Sequence, residues 1–177
     1  DESWRGALGR RIYDRISGLY SAAKKSTDDA YLAARQSPEA QNIVDISGTP
    51  ATYHDGVSEV SATIPDYLNA TPKKIYKVIK AIREAAEDLG VVVKQEDGTY
   101  AGGTPTLLNM ETFRQRVNEI GADTNPMKRT QLRIVRTVRD MIDQVTAPFE
   151  GEIFKGARAL RRQQGTFFEN RAIIADL

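Results

Sequence analysis

From residue 71 to residue 90 the chain runs Thr71-Pro72-Lys73-Lys74-Ile75-Tyr76-Lys77-Val78-Ile79-Lys80-Ala81-Ile82-Arg83-Glu84-Ala85-Ala86-Glu87-Asp88-Leu89-Gly90. Threonine then proline is the order of a helix start: the hydroxyl caps, and the proline lacks an N–H that the first turn would leave unbonded anyway. Ile75, Val78, Ile79, Ile82, Ala86 and Leu89 then share one face at the 3.6-residue period, and Gly90 supplies the stop. The stretch predicts an amphipathic helix, and with it a fold made by packing helices.

Working outward toward the C-terminus, Val91-Val92-Val93 and Glu96-Asp97-Gly98-Thr99-Tyr100 read as a hairpin turning at Asp-Gly, closed by Gly102-Gly103-Thr104-Pro105. Asn109 is placed to cap a helix carrying Met110, Phe113, Val117 and Ile120 and stopped by Gly121. Asn125-Pro126 opens another, with Leu132, Val135, Val138, Met141, Ile142 and Val145, so the two helices should form an αα-hairpin. Beyond Pro148, the spacing of Phe149, Ile153, Ala157, Leu160, Phe167, Phe168, Ile173 and Leu177 predicts a last long helix weakened at Gly165.

Toward the N-terminus, residues 37–71 hold Pro38, Pro50 and Pro65 and many Ser and Thr, which predicts a loop-rich connector with one short helix over 56–64. No basic residue lies between Arg35 and Lys73, so the connector is acidic. Before it, Trp4, Leu8, Ile12, Ile16 and Tyr20 recur every fourth residue, predicting a helix from Glu2 to about Lys25 with these side chains inward. Ser26-Thr27-Asp28-Asp29 predicts a break and a second piece from Asp28 to Gln36. The expected fold is therefore mainly α, a multi-helix bundle with one small β-hairpin near 91–101. Its segments are 1–36, 37–71, 72–108 and 109–177. The start without Met and the finish inside an apolar pattern are those expected of a piece of a larger protein.

Composition narrows the chemistry. Lys plus Arg is 25 against 24 for Asp plus Glu, a net charge of +1, so attraction to polyanions or acidic membranes has to be local. With no cysteine there is no disulfide, thiolate nucleophile or cysteine zinc site, and with His54 the only histidine no His triad or His cluster can be assembled. No apolar run approaches the roughly 20 residues of a membrane span, and no signal peptide is visible. Carboxylates such as Glu84, Glu87 and Asp88, or Glu150 and Glu152, read as solvated helix faces rather than an acid–base pair, and Gly102-Gly103 lacks the surroundings of a phosphate loop. The expectation is a non-enzymatic chain with no cofactor and no metal.

Two sets of basic residues are candidate contacts for nucleic acid or an acidic partner. Lys73, Lys74, Lys77 and Lys80 lie opposite the apolar stripe of the 72–89 helix, in a short helix, turn, helix, hairpin order like that of a winged helix-turn-helix. Pro65 and the acidic hairpin tip, Glu96 and Asp97, stand against that reading. Arg133, Arg136 and Arg139 step by three along one helix, and Arg158, Arg161 and Arg162, with Lys155, step along the last. The ordinary meaning of each set is a polar face, screened by Asp140, Asp143, Glu150 and Glu152.

Thr112-Phe113-Arg114-Gln115-Arg116-Val117, Thr137-Val138-Arg139-Asp140-Met141-Ile142-Asp143 and Gly156-Ala157-Arg158-Ala159-Leu160-Arg161-Arg162, preceded by the tyrosine-containing Gly18-Leu19-Tyr20-Ser21-Ala22-Ala23-Lys24, are short motifs of a likeness that spans about half the chain. In this succession they resemble the internal or ejected structural proteins of tailed bacteriophages and prophages. The resemblance implies a structural module of a larger virion protein that supports assembly or genome delivery, with no catalytic residues to carry over. Its partners would be other protein subunits or the rest of its own polypeptide. Its location would be the virion or the bacterial cytoplasm. A DNA-binding module of winged-helix type, using the 72–89 helix and the 91–101 hairpin, is the alternative.

Overall fold

A computed structural model describes residues 2–72, 76–123 and 129–175. The fold is mainly α. Among the described residues it comprises six α-helices, α1 (Glu2–Gln36), α2 (Ile64–Ala70), α3 (Tyr76–Asp88), α4 (Leu107–Asp123), α5 (Arg129–Thr146) and α6 (Glu152–Ala175). Two antiparallel hairpins join them, β1 (Ala51–His54) with β2 (Glu59–Ala62), and β3 (Val92–Lys94) with β4 (Tyr100–Gly102). Short 3-10 turns lie at Pro38–Gln41 and Ala147–Phe149. The chain divides into two compact units, residues 40–150 and a helical pair made of 1–39 with 151–177. This grouping replaces the four consecutive segments expected from sequence: the last of them is shared between the units, because α6 packs with α1.

In the 40–150 unit the apolar stripe of the 72–89 stretch is observed over Tyr76–Asp88, while Thr71, expected to cap that helix, closes α2 instead, its hydroxyl donating to Tyr67 O at 2.6 Å. Val78, Ile79, Ile82, Ala85 and Ala86 are buried against α4 and α5. Ile75, Lys73 and Lys74 lie outside the described residues. Gly90 takes φ +70°, which a β-carbon would oppose. This lets Val91 N–H donate to Ala86 O at 2.9 Å and Gly90 N–H to Glu87 O at 3.1 Å, a Schellman closure that turns the chain into β3. Leu107, Met110, Phe113 and Val117 of α4 and Ile134, Val135, Val138, Met141, Ile142 and Val145 of α5 complete the core. Arg114 and Asp143 tie α4 to α5 with two bonds, 2.9 and 3.3 Å.

Several expectations are corrected here. Helix α4 begins two residues before Asn109: Thr106 Oγ1 accepts from Asn109 N–H at 3.2 Å while the Asn109 carboxamide accepts from Thr106 N–H at 3.0 Å, a reciprocal capping box. It runs past Gly121 because that glycine sits against Val135 of α5, where bare backbone permits close packing. The Asn125-Pro126 start lies outside the described residues.

The connector is not loop-rich, and the helix expected over 56–64 is absent. Residues 59–62 are instead strand β2, paired Ala51 with Ala62 through His54 with Glu59, so the described residues form two hairpins rather than one. Helix α2 follows, with Thr63 Oγ1 accepting from Asp66 N–H at 3.3 Å. Pro65 stands in its first turn, where proline is at home rather than an obstacle.

In the helical pair α1 is continuous from Glu2 to Gln36. The predicted break at 26–29 does not occur because Thr27 is buried and returns its hydroxyl to Ala23 O at 3.1 Å. The seam of α1 runs through Ile16, Tyr20, Ala23, Thr27, Ala30 and Ala34, alternating steps of four and three; Thr27 and Ala34 are buried, as is Tyr31 beside them, and the others are half-buried. Phe154, Ala157, Arg161 and Gln164 of α6 alternate three and four in the same way, and Phe154 takes the inward place expected of Ile153, which is exposed. The helix runs through Gly165; side chains beyond it lie outside the described residues. Trp4, Leu8 and Ile12, expected inward, are 64%, 47% and 49% exposed. Each four-residue step overshoots a helical turn by about 40°, so five such residues sweep about 160° and cannot all face one neighbour.

Candidate nucleic-acid interface

The candidate site lies in the 40–150 unit, where β1 runs beside α5. Thr52 sits with its backbone against Gln144: Thr52 N–H donates to Gln144 Oε1 at 2.9 Å and Gln144 Nε2 donates to Thr52 O at 2.8 Å. The carboxamide thus serves the edge strand as a one-residue ladder partner and fixes β1 along α5. Above this clip opens a cleft of about 430 Å³, lined on one side by Thr52, Tyr53 and His54 and on the other by Arg129, Arg133, Arg136, Thr137 and Asp140. A second cleft of about 280 Å³ shares Tyr53, His54, Arg133 and Thr137 with it and extends to Tyr67 and Pro72.

Each wall has a local cause. Asp55 accepts from Val57 N–H and Ser58 N–H at 2.8 and 2.9 Å, which closes the β1–β2 turn and holds its carboxyl below the usual carboxylate range. His54 Nδ1 accepts from Gly56 N–H at 3.0 Å, so in the neutral ring Nε2 carries the proton and is a donor. Tyr53 meets Tyr67 edge to face, centroids 5.0 Å apart, and burial, then Tyr53, push the Tyr67 phenol up. Helix α5 contributes Arg129, Arg133 and Arg136 at positions i, i+4 and i+7, the spacing of a single helix face. All three are exposed, and none forms a salt bridge among the described residues.

The basic residues singled out from sequence separate into different fates. Arg133 and Arg136 line the cleft, but Arg139 does not continue their row. Steps of three fall back about 60° each, so Arg139 reaches α4, donating to Asn118 Oδ1 at 3.0 Å. Burial, and next Arg114, lower its pKa. Arg129, unnoticed in sequence, takes the place on the row. Its sequence signal is the i, i+4, i+7 spacing it completes with Arg133 and Arg136, which a step of three does not contain.

Lys77 and Lys80 are exposed on α3, while Lys73 and Lys74 lie outside the described residues. Lys80 lines a third cleft with Arg83, Glu84, Glu87 and Lys94, where the charges are mixed. Arg83 is structural: its guanidinium donates to Leu68 O and ties α3 to the end of α2. On α6, Arg161 stacks over Tyr31 at 5.1 Å, Arg158 is half-buried and Arg162 is exposed, so these do not form one outward ridge.

Of the carboxylates, Asp88 pairs with Arg116 at 3.3 Å on the surface. Among the described residues no cluster of three or more His, Asp or Glu is arranged to hold a metal ion. Among the described residues no helix is long and apolar enough to cross a membrane. No protein-family model, curated protein or solved structure matches the chain.

Proposed function

We propose that this chain is a non-enzymatic structural and interaction module of a larger virion protein of the tailed-phage type, acting in assembly or genome delivery through contacts with other subunits. The observation that carries this reading is the second apolar stripe of α1. Trp4, Leu8, Ile12 and Leu19 are about half exposed or more, although the seam of α1 toward α6 is already supplied by other residues. A row of large apolar side chains in water is the mark of an interaction surface. The motif residues behind the resemblance fit a structural role as well: Phe113 is core, Arg114 holds Asp143, and Arg161 covers Tyr31.

Sedimentation velocity over a range of concentrations tests this, with Trp4, the single tryptophan, as an internal reporter. Self-association accompanied by a blue shift of the Trp4 emission is expected. Trp4→Ser, Leu8→Ser and Ile12→Ser combined should abolish association and leave helical circular dichroism unchanged. A chain that stays monomeric at all concentrations with Trp4 in water would refute the assembly role.

A further inference from the structure

We propose that the β1–α5 cleft binds the phosphates of a single nucleic-acid strand, a function in the 40–150 unit that stands independently of assembly through α1. Three observations converge. Arg129, Arg133 and Arg136 form a row over two turns of α5, roughly 10 Å of axis, and their exposed guanidiniums are not committed to carboxylates among the described residues. The facing wall offers Tyr53, half-buried, and His54, exposed, with a ring N–H left to donate. The two clefts share Tyr53, His54 and Arg133, so they adjoin along β1. A basic track beside aromatic rings is the arrangement that holds a strand: phosphates follow the cations and bases stack on the rings.

The opposing charges are few. Asp140 lines the first cleft and Asp55 the second, where backbone N–H groups already engage the carboxylate. Three arginines therefore outweigh two carboxylates. The face of α3 lacks this excess, since Glu84 and Glu87 share the cleft of Lys80 and Lys94. A cleft bounded by a strand and a helix also suits one backbone better than a duplex, which presents its phosphates on a rigid convex surface.

Fluorescence anisotropy of an end-labelled oligothymidylate titrated with the full chain decides the matter. Saturable binding is expected, with log affinity falling against log salt at a slope of about −2, from roughly 0.7 for each of three phosphates. Arg129→Gln, Arg133→Gln and Arg136→Gln together should weaken binding by roughly tenfold or more and flatten the slope. Lys77→Gln, Lys80→Gln and Lys94→Gln together should leave both nearly unchanged. All six positions are exposed, so unchanged circular dichroism is the check on folding. No binding at low salt, equal losses in the two triple variants, or preference for duplex over strand would each overturn the proposal. So would equal affinity for a mononucleotide, which would assign the cleft to a small phosphorylated ligand.

Discussion

The two hairpins of the 40–150 unit use the same turn chemistry and the same anchor, yet only one borders a basic cleft. Both turn at Asp-Gly, with Gly56 at φ +101° and Gly98 at φ +84°. In each, the aspartate accepts from the N–H two residues on, Asp55 from Val57 and Asp97 from Thr99. Each is also clipped to a helix by a carboxamide that pairs with one residue's backbone. Gln144 does this for Thr52, and Asn69 for Tyr100, with Tyr100 N–H donating to Asn69 Oδ1 at 2.8 Å and Asn69 Nδ2 donating to Tyr100 O at 2.9 Å. What differs is the support: β1 lies along the arginine face of α5, β4 along the end of α2. A hairpin of three or four residues per strand is marginal alone, so the helix beneath each decides both its stability and its function.

Removing a clip should break the likeness most. Asn69→Ala and Gln144→Ala each delete a pair of backbone-directed hydrogen bonds and should cost about 1 to 3 kcal/mol in chemical denaturation. Amide exchange should rise at Tyr100 in the first and at Thr52 in the second, not at both. If either variant loosens both hairpins equally, the clips are not independent.

A smaller effect is expected at the turns. Gly56→Ala and Gly98→Ala place a β-carbon at positive φ, costing about 1 to 2 kcal/mol each. Gly56→Ala should be the costlier, because its β-carbon would stand 3.2 Å from Arg133 Nη1, whereas Gly98 faces open space. Equal melting temperatures for the two variants would mean that Arg133 simply moves aside.

The smallest effect concerns pH. Asp55 is held below its ordinary pKa first by the Ser58 N–H and then by Val57, and Asp97 first by the Thr99 hydroxyl and then by its N–H. A depressed folded value stabilises the folded state above the unfolded pKa of about 4, and that contribution disappears as pH falls through the folded value. Both carboxyls should titrate below the usual range by NMR. Acid should loosen each turn in step with its own aspartate, and a midpoint at the ordinary value would remove the turn's contribution.

The sequence was informative where a periodic stripe had neighbours to bury it. In α3, α4 and α5 most of the predicted apolar face is the observed core, with Leu89, Ile120 and Leu132 half-buried at its margin, and the Asp97-Gly98 hairpin follows three valines whose strand character is plain. The same Asp-Gly signal at residues 55 and 56 was obscured. Its strands are mixed in polarity, and Pro50 and Pro65 read as breakers although one precedes the strand and the other starts α2. In α1, repetition every fourth residue mimics a single face but winds around the helix, so Trp4, Leu8 and Ile12 fall outside the seam. The cleft was half legible: Arg133 and Arg136 were singled out, but their companions Tyr53 and His54 arrive by tertiary packing across a stretch read as connector.

Glu39 caps the first turn of α6 from outside that helix. Its carboxylate accepts from Ile153 and Phe154 N–H, both at 3.1 Å, and Gly151 leaves room for it, since a β-carbon there would push the Glu39 carboxylate aside. Close by in sequence, Asn42 Nδ2 donates to Phe149 O at 3.0 Å, so both margins of the intervening 111-residue module (40–150) are stitched shut. The polypeptide leaves and returns at one doorway. Such a module is an excisable cassette: its own ends can be joined for circular permutation, and a short Gly-Ser bridge can take its place without parting the two long helices.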